Sequence, residues 1–406
     1  MISGKQEAIL SQLGVALAGG GISGGIYHIG VLCALEHAID GLDFMDVDHL
    51  IGVSAGAIIS SLMANAIPPS ELAKNIIEPD LDEYEFTPEL FYTPAYENYA
   101  TKGLFIPRLA VDALQDVLSP ARKYSFLSNV LKLSRLIPGG IFSNKPIYHF
   151  LSDLFAKTNR TDDFRKLKKN LRVVATDLDS SKSVVFGLDI TDVPISKAVQ
   201  ASAALPGIFP PVEIDGRAYV DGALNKTIHA SVALEAGCKL MFCVNPIVPV
   251  DTSSAIEKGV MQRGKLVDRG LPGILSQTFR TIIHSRMIAG FKRYENEFPD
   301  ADIVLIEPSM EDYTMFFTNV LSFSSRLKIC EHAYQDTLKQ LVARRSEIEP
   351  KVKRHGLKFN NGFLRDTDRV IWDEVLPKRK KATKKLEHAL LDLEACLSSR
   401  SSMPLS

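Results

Sequence analysis

The chain has no CxxC pair, and its five cysteines, Cys33, Cys238, Cys243, Cys330 and Cys396, are widely scattered. A zinc ribbon or a disulfide framework is therefore not expected, and reduced core thiols in a cytoplasmic protein are the simpler reading. An excess of charge of one sign is also missing. The formal net charge of −1 gives no whole-molecule field that would attract nucleic acid, so any electrostatic attraction must be local.

Long apolar runs are lacking too. Two stretches, Glu7 to Glu36 and Asp48 to Glu71, hold no charged side chain between their ends. The first is interrupted by seven glycines. The second carries Ser54, Ser60, Ser61 and Asn65 and ends in Pro68-Pro69. Neither resembles the ~20 predominantly apolar residues of a membrane span. Lys5 and Glu7 cancel, and no compact apolar core with a cleavage site follows, so no signal peptide is expected. At 46% hydrophobic and 23% charged residues, the 406-residue chain has ample material for a core.

The first sixty residues read as strand, helix, strand, helix. Leu13–Leu17 is a short apolar run ending in glycines, and Ile26, Ile29, Leu32, Cys33 and Leu35 suit one face of a helix over Ile22–Ile39. His49–Val53 is a second strand, followed by a buried helix from Ala55 to Ile67. Strand patterns resume at Leu171–Thr176, Ser183–Gly187, Ala218–Val220, Leu240–Asn245 and Ile303–Ile306. Alternating strands and helices imply an α/β fold with a mostly parallel sheet covered on both faces. Residues 80–150 are rich in aromatics and prolines and read as an insertion, either an acyl groove or lid or an ordinary packed subdomain. From Tyr313 onward the pattern is helical. The expected division is a catalytic domain over 10–310 and a helical C-terminal extension over 311–406.

Three motifs carry chemistry. Gly19-Gly20-Gly21-Ile22-Ser23-Gly24 stands where a strand becomes a helix, so its N–H groups converge on one spot and suit a phosphate or an oxyanion. The same spacing occurs in dinucleotide-binding proteins, which also need an acidic residue at the end of the second strand. Here Asp46 and Asp48 lie before that strand, and its end is Gly52-Val53-Ser54-Ala55-Gly56. That pentapeptide has the form of the strand-to-helix turn that exposes a nucleophilic serine, a form that also occurs commonly by chance. Asp221-Gly222-Ala223 places a carboxylate after another strand and before a helix over Asn225–Glu235. The downstream histidines, His149, His229, His284, His332, His355 and His388, lie in no recognisable strand-end turn, and surface or packing roles are expected for them.

Taken jointly, these motifs resemble the patatin-like phospholipases. Val173–Asp179 is similar to that family's central strand and turn, and Ala201–Pro211 to the segment leading into its aspartate. The resemblance runs over roughly residues 12–245. It implies a three-layer α/β/α fold and a lipid acyl-ester hydrolase using a Ser–Asp dyad without histidine. Ser54 would be the nucleophile and Asp221 the base. The main chain of Gly19, Gly20, Gly21 and Ile22 would form the oxyanion hole, with Gly24, Gly52, Gly56 and Gly222 supporting the turns. No metal or other cofactor is implied. Two positions depart from the family: Ser23 stands where it usually has Arg or Lys, and Ala18 where it has a leading aspartate. A catalytically silent lipid-binding protein is the competing reading.

The C-terminal segment carries six cations within Lys378–Lys385, followed by Leu386, Leu390, Leu393 and Leu397 at helical spacing. This suits a peripheral membrane-surface helix, or equally a solvated face whose leucines pack on the domain.

Overall fold

The computed structural model describes residues 13–77, 89–95, 139–157, 159–257, 266–317 and 323–376. Most of the 80–150 insertion, the segment from Lys378 to Leu397 and His388 lie outside the described residues.

The described residues form ten strands: β1 (Leu13–Leu17), β2 (Ile39–Asp40), β3 (His49–Val53), β4 (Asn170–Asp177), β5 (Ser183–Phe186), β6 (Val212–Ile214), β7 (Arg217–Asp221), β8 (Leu240–Val244), β9 (Asp302–Ile306) and β10 (Lys358–Phe359). Eight form one sheet in the order β6-β7-β4-β3-β1-β8-β9, with β5 also on β4. The central pairs β4-β3, β3-β1, β1-β8 and β8-β9 are parallel. The pairs β4-β5, β4-β7 and β6-β7 are antiparallel.

Alternation along the strands divides the core between the two faces of the sheet. Val15, Leu17, Leu50, Val173 and Phe242 pack with helices α1 (Gly21–Ala38), α2 (Ala55–Ala64) and α3 (Ile195–Ser202). Ala16, Ile51, Val53, Val174 and Met241 face the other way, towards α4 (Ser231–Glu235) and the long α5 (Gly270–Glu297). The result is a three-layer α/β/α molecule. The later helix α6 (Phe323–Ala343) joins the first of these cores, so residues after 310 share it with α1.

Several elements differ from the sequence expectation. Helix α2 stops at Ala64, short of the proline pair, because Ala66 turns into the left-handed region at φ 62°. The Asn65 amide then donates to the Ser61 carbonyl at 3.2 Å, and its oxygen accepts from the Thr161 N–H at 2.8 Å. Only Ser231–Glu235 of the expected 225–235 helix is α-helical. The carbonyls of Leu224 and Asn225 are taken by the Arg286 guanidinium at 3.0 and 2.6 Å, so they are not free to start a helix. Beyond Tyr313 the chain is not wholly helical, since β10 pairs with β2. The 28-residue α5 was not anticipated at all.

Candidate active site

The sheet register explains how Ser54 and Asp221 come together. Val173 and Val174 of β4 pair with β3 on one side and β5 on the other. Ala175 and Thr176 keep β5 but exchange β3 for β7. Strands β3 and β7 therefore lie end to end along one edge of β4. Val53 is opposite Val174, and Asp221 is opposite Ala175. Because β7 runs antiparallel, its carboxyl end descends onto the carboxyl end of β3. The residue after β3 is Ser54, and the last residue of β7 is Asp221.

Ser54 sits at φ 55° and ψ −122° between β3 and α2. That conformation costs a residue with a side chain roughly 1–3 kcal/mol, and its surroundings leave no alternative. A Cβ on Gly52 would come within 2.4 Å of the Ala57 Cα, and one on Gly56 within 2.2 Å of the Leu17 carbonyl oxygen. The Ser54 N–H donates to the Ser202 hydroxyl at 2.8 Å, and that hydroxyl donates to the Val174 carbonyl at 2.6 Å. Two residues on, the Ala204 carbonyl accepts the Asp221 N–H at 3.0 Å. One short segment at the end of α3 thus ties down the main chain of both residues. Ser202 was not singled out as a site residue, although it lies within the Ala201–Pro211 segment that carried the resemblance.

Asp221 is 2% exposed and Ser54 8%. The Asp221 carboxylate accepts the Ala223 N–H at 2.9 Å. Burial raises its pKa to about 6, against the opposing pull of the Ala223 N–H and the Ser54 hydroxyl. Such a group is mostly ionised at neutral pH yet basic enough to take a proton.

Gly19 lies against Ser54: a Cβ built on it would be 3.7 Å from the Ser54 Oγ. Gly20 and Gly21 have φ of 138° and 62°, which only glycine adopts readily. They turn β1 sharply into α1, and Gly24 closes the turn by donating to the Gly20 carbonyl at 3.1 Å. Among the described residues, no main-chain hydrogen bond is donated by Gly19, Gly20, Gly21 or Ile22. Gly21 and Ile22 lie in the first turn of α1, whose N–H groups have no intrahelical partner. Gly222 follows Asp221, where a Cβ would meet the Val174 carbonyl at 2.3 Å. The Ser23 hydroxyl donates to the Gly20 carbonyl at 3.3 Å.

The histidines have other partners. His332 and His355 pair with Asp312 and Asp302 at 2.6 and 3.0 Å. His284 lies 3.5 Å from the Glu307 carboxylate, and His149 is exposed on the helix Lys145–Phe155. His229 is buried, and its Nε2 has no hydrogen-bond partner among the described residues. Burial lowers its pKa to about 4, so it stays neutral. His28, inside α1, is likewise neutral and bonds the Ala18 carbonyl at 2.7 Å. The four described cysteines are buried thiols.

Comparison with known proteins places these features. The uncharacterized protein R571 of Acanthamoeba polyphaga mimivirus is 27% identical over 222 residues, covering 54% of this chain and 60% of that one. The probable lipid hydrolase 463L of Invertebrate iridescent virus 6 is 24% identical over 223 residues, covering 53% and 61%. The chain therefore spans about 60% of the length of these two curated relatives. Among solved structures, VipD from Legionella pneumophila is 16% identical with a TM-score of 0.35, over 82% of this chain and 67% of that one. The type III effector protein ExoU is 16% identical with a TM-score of 0.30, over 98% and 67%. The family model described as patatin-like phospholipase matches residues 15–234, more than half the chain and all three motifs. The chain belongs to the patatin-like phospholipase family.

Proposed function

We propose that this protein is a lipid acyl-ester hydrolase in which Ser54 is the nucleophile and Asp221 its general base. The observation that carries the reading is the pairing along β4 that brings the Ser54 turn, after Val53, against Asp221, a buried carboxyl group whose pKa burial raises to about 6. No described histidine takes part in it. The family match and the name of the iridescent-virus relative, a probable lipid hydrolase, support the substrate class.

In this scheme Ser54 attacks the ester carbonyl while Asp221 accepts its proton. Charge develops on the carbonyl oxygen and is met by the N–H groups of Gly19 to Ile22. Such prearranged donors are typically the largest contribution to acyl transfer. Asp221 returns the proton to the leaving alcohol. Water, deprotonated by the same carboxylate, then releases the fatty acid from the Ser54 ester. The scheme draws on side chains and main-chain donors alone.

The test is a lipid panel comparing wild type with Ser54→Ala, with released fatty acids identified by mass. Fatty acid release that depends on Ser54 supports the reading. Lipid binding without any release by wild type would leave the silent lipid-binding protein.

A further inference from the structure

His28 lies inside α1 and is fully buried. Its Nε2 stands 2.7 Å from the Ala18 carbonyl oxygen. A carbonyl only accepts, so Nε2 carries the proton and donates it to this bond. Nδ1 then holds a lone pair, and it is buried with no hydrogen-bond partner among the described residues. Burial lowers the pKa of the ring to about 4, so the neutral form persists at neutral pH. An unpaired buried nitrogen is unfavourable, and an apolar side chain would avoid it. What the ring offers in return is its contact with Ala18, the residue that leads into the glycine turn.

That contact sets the direction of a peptide beside Ser54. Gly19 follows Ala18, and a Cβ built on it would lie 3.2 Å from the Ser54 Cβ. In a planar trans peptide the carbonyl and the following N–H point in opposite directions. With the Ala18 carbonyl drawn onto α1 by His28, the Gly19 N–H is turned away from α1. The serine turn leaves room for this orientation, since a Cβ on Gly56 would come within 2.6 Å of the Ala18 oxygen. The next two carbonyls also lie against α1. The Gly19 oxygen would be 3.1 Å from a Cβ on Gly24, and the Gly20 carbonyl accepts the Gly24 N–H at 3.1 Å. The N–H groups of Gly19, Gly20 and Gly21 are thus turned off the helix together. Successive N–H groups turned to one side form a concave site for negative charge.

Glycine permits this turn but does not hold it. Without a Cβ, Gly19 lets the Ala18–Gly19 peptide rotate at little steric cost. The carbonyl would then replace the N–H, so a donor is lost and a partial negative charge is gained where the substrate oxygen becomes anionic. The Gly20 carbonyl is held by the main chain of α1 itself, through Gly24. The Ala18 carbonyl is held by a side chain ten residues further on, that of His28.

We propose that His28 is a positioning residue for the oxyanion hole, whose Nε2–H holds the Ala18 carbonyl so that the Gly19 N–H faces the substrate oxygen. The proposal rests on the hydrolase reading of the Ser54 site. Its test compares His28→Leu, which fills the space without a donor, with His28→Gln, whose amide N–H has a similar reach to Nε2. On a soluble short-chain ester His28→Leu should lower kcat about a hundredfold with KM within about twofold, and His28→Gln should recover about tenfold of that loss. An alkyl trifluoromethyl ketone reads the hole without turnover. The Ser54 oxygen bonds to the ketone carbon, the Ser54 proton passes to Asp221, and the carbonyl π pair becomes the oxyanion. Its inhibition constant should rise about as much as kcat falls. The proposal is overturned by His28→Leu with kcat within about twofold of wild type, by His28→Gln as slow as His28→Leu, or by a loss confined to KM. Wild type carrying isotope-labelled histidine, followed by nitrogen NMR, gives a measurement that does not depend on the variants folding. One ring should keep the Nε2–H form without titrating between about pH 5 and pH 8, and absence of such a ring overturns the proposal. Ester cleavage that ignores Ser54→Ala fails the hydrolase reading and the oxyanion hole with it. Ser54-dependent cleavage untouched by His28→Leu fails this proposal alone.

Discussion

A serine hydroxyl becomes a useful nucleophile only when a base stands beside it, and a carboxylate is a weak base in water. Removal from solvent raises the Asp221 pKa to about 6, and in the proposed scheme it is the Ser54 proton that this carboxylate accepts. Ser54→Ala and Asp221→Asn should each lower kcat/KM by roughly a thousandfold or more. Alanine at His149, His229, His284, His332, His355 or His388 should leave the activity of folded protein nearly unchanged. A histidine variant as inactive as Ser54→Ala would replace the dyad with a triad. The pH profile follows from the same carboxyl group. Activity needs it ionised, so kcat/KM should rise through about pH 6 and level off above it. Stability should move the other way. A folded-state pKa above the ordinary carboxyl value means folding favours the protonated form, so this contribution is intact below about pH 4 and lost as pH rises through about 6. Relative to wild type, Asp221→Asn should therefore gain more in thermal midpoint at pH 8 than at pH 4. An equal difference at both pH values would mean that the carboxyl is not titrating in this range.

At the scale of elements, the site depends on two strand ends held by the segment after α3. Ser202 bridges the Ser54 N–H and the Val174 carbonyl. Ser202→Ala leaves both buried groups short of a partner and should cost about 1–3 kcal/mol. It should also lower kcat with little change in KM, because Ser202 reaches Ser54 only through its main chain. A stability loss with kcat intact would leave Ser202 a purely structural residue. The strands β1, β3, β4 and β8 were legible because each is a short apolar run bounded by turn residues. The serine turn was legible because its glycines are required by contacts of 2.2 and 2.4 Å to main-chain neighbours. What the sequence did not disclose was direction. Asp221 was expected at the carboxyl end of a strand, as in a parallel sheet, yet β7 is antiparallel and reaches Ser54 because it abuts β3 on β4. Helix α5 escaped notice because its apolar residues are spread over two faces and leave no single-face periodicity.

At the scale of the molecule, the family match ends at residue 234, but the core does not. Helix α1, which starts in the glycine turn, is buried along most of its length, and a helix apolar all round must be covered all round. Its cover includes α6, three hundred residues later in the chain. The two touch main chain to main chain at Gly30, where a Cβ would lie 2.4 Å from the Cys330 carbonyl oxygen and 2.9 Å from the Ala333 Cβ. The His37 Nδ1 and the Tyr334 hydroxyl also hydrogen-bond across this contact at 2.9 Å. Gly30→Ala must push the helices apart and should cost about 1–3 kcal/mol, read as a lower denaturation midpoint. Truncation at residue 310 is the stronger test. It strips α6 from α1 and exposes Val31, Leu35 and their neighbours beside the turn that carries Gly19 to Ile22. The fragment 1–310 should collect in the insoluble fraction or unfold without a cooperative transition, and lose esterase activity with the dyad intact in sequence. A soluble, cooperatively folding and active 1–310 fragment would show that α6 only covers the site-bearing layers and does not complete their core.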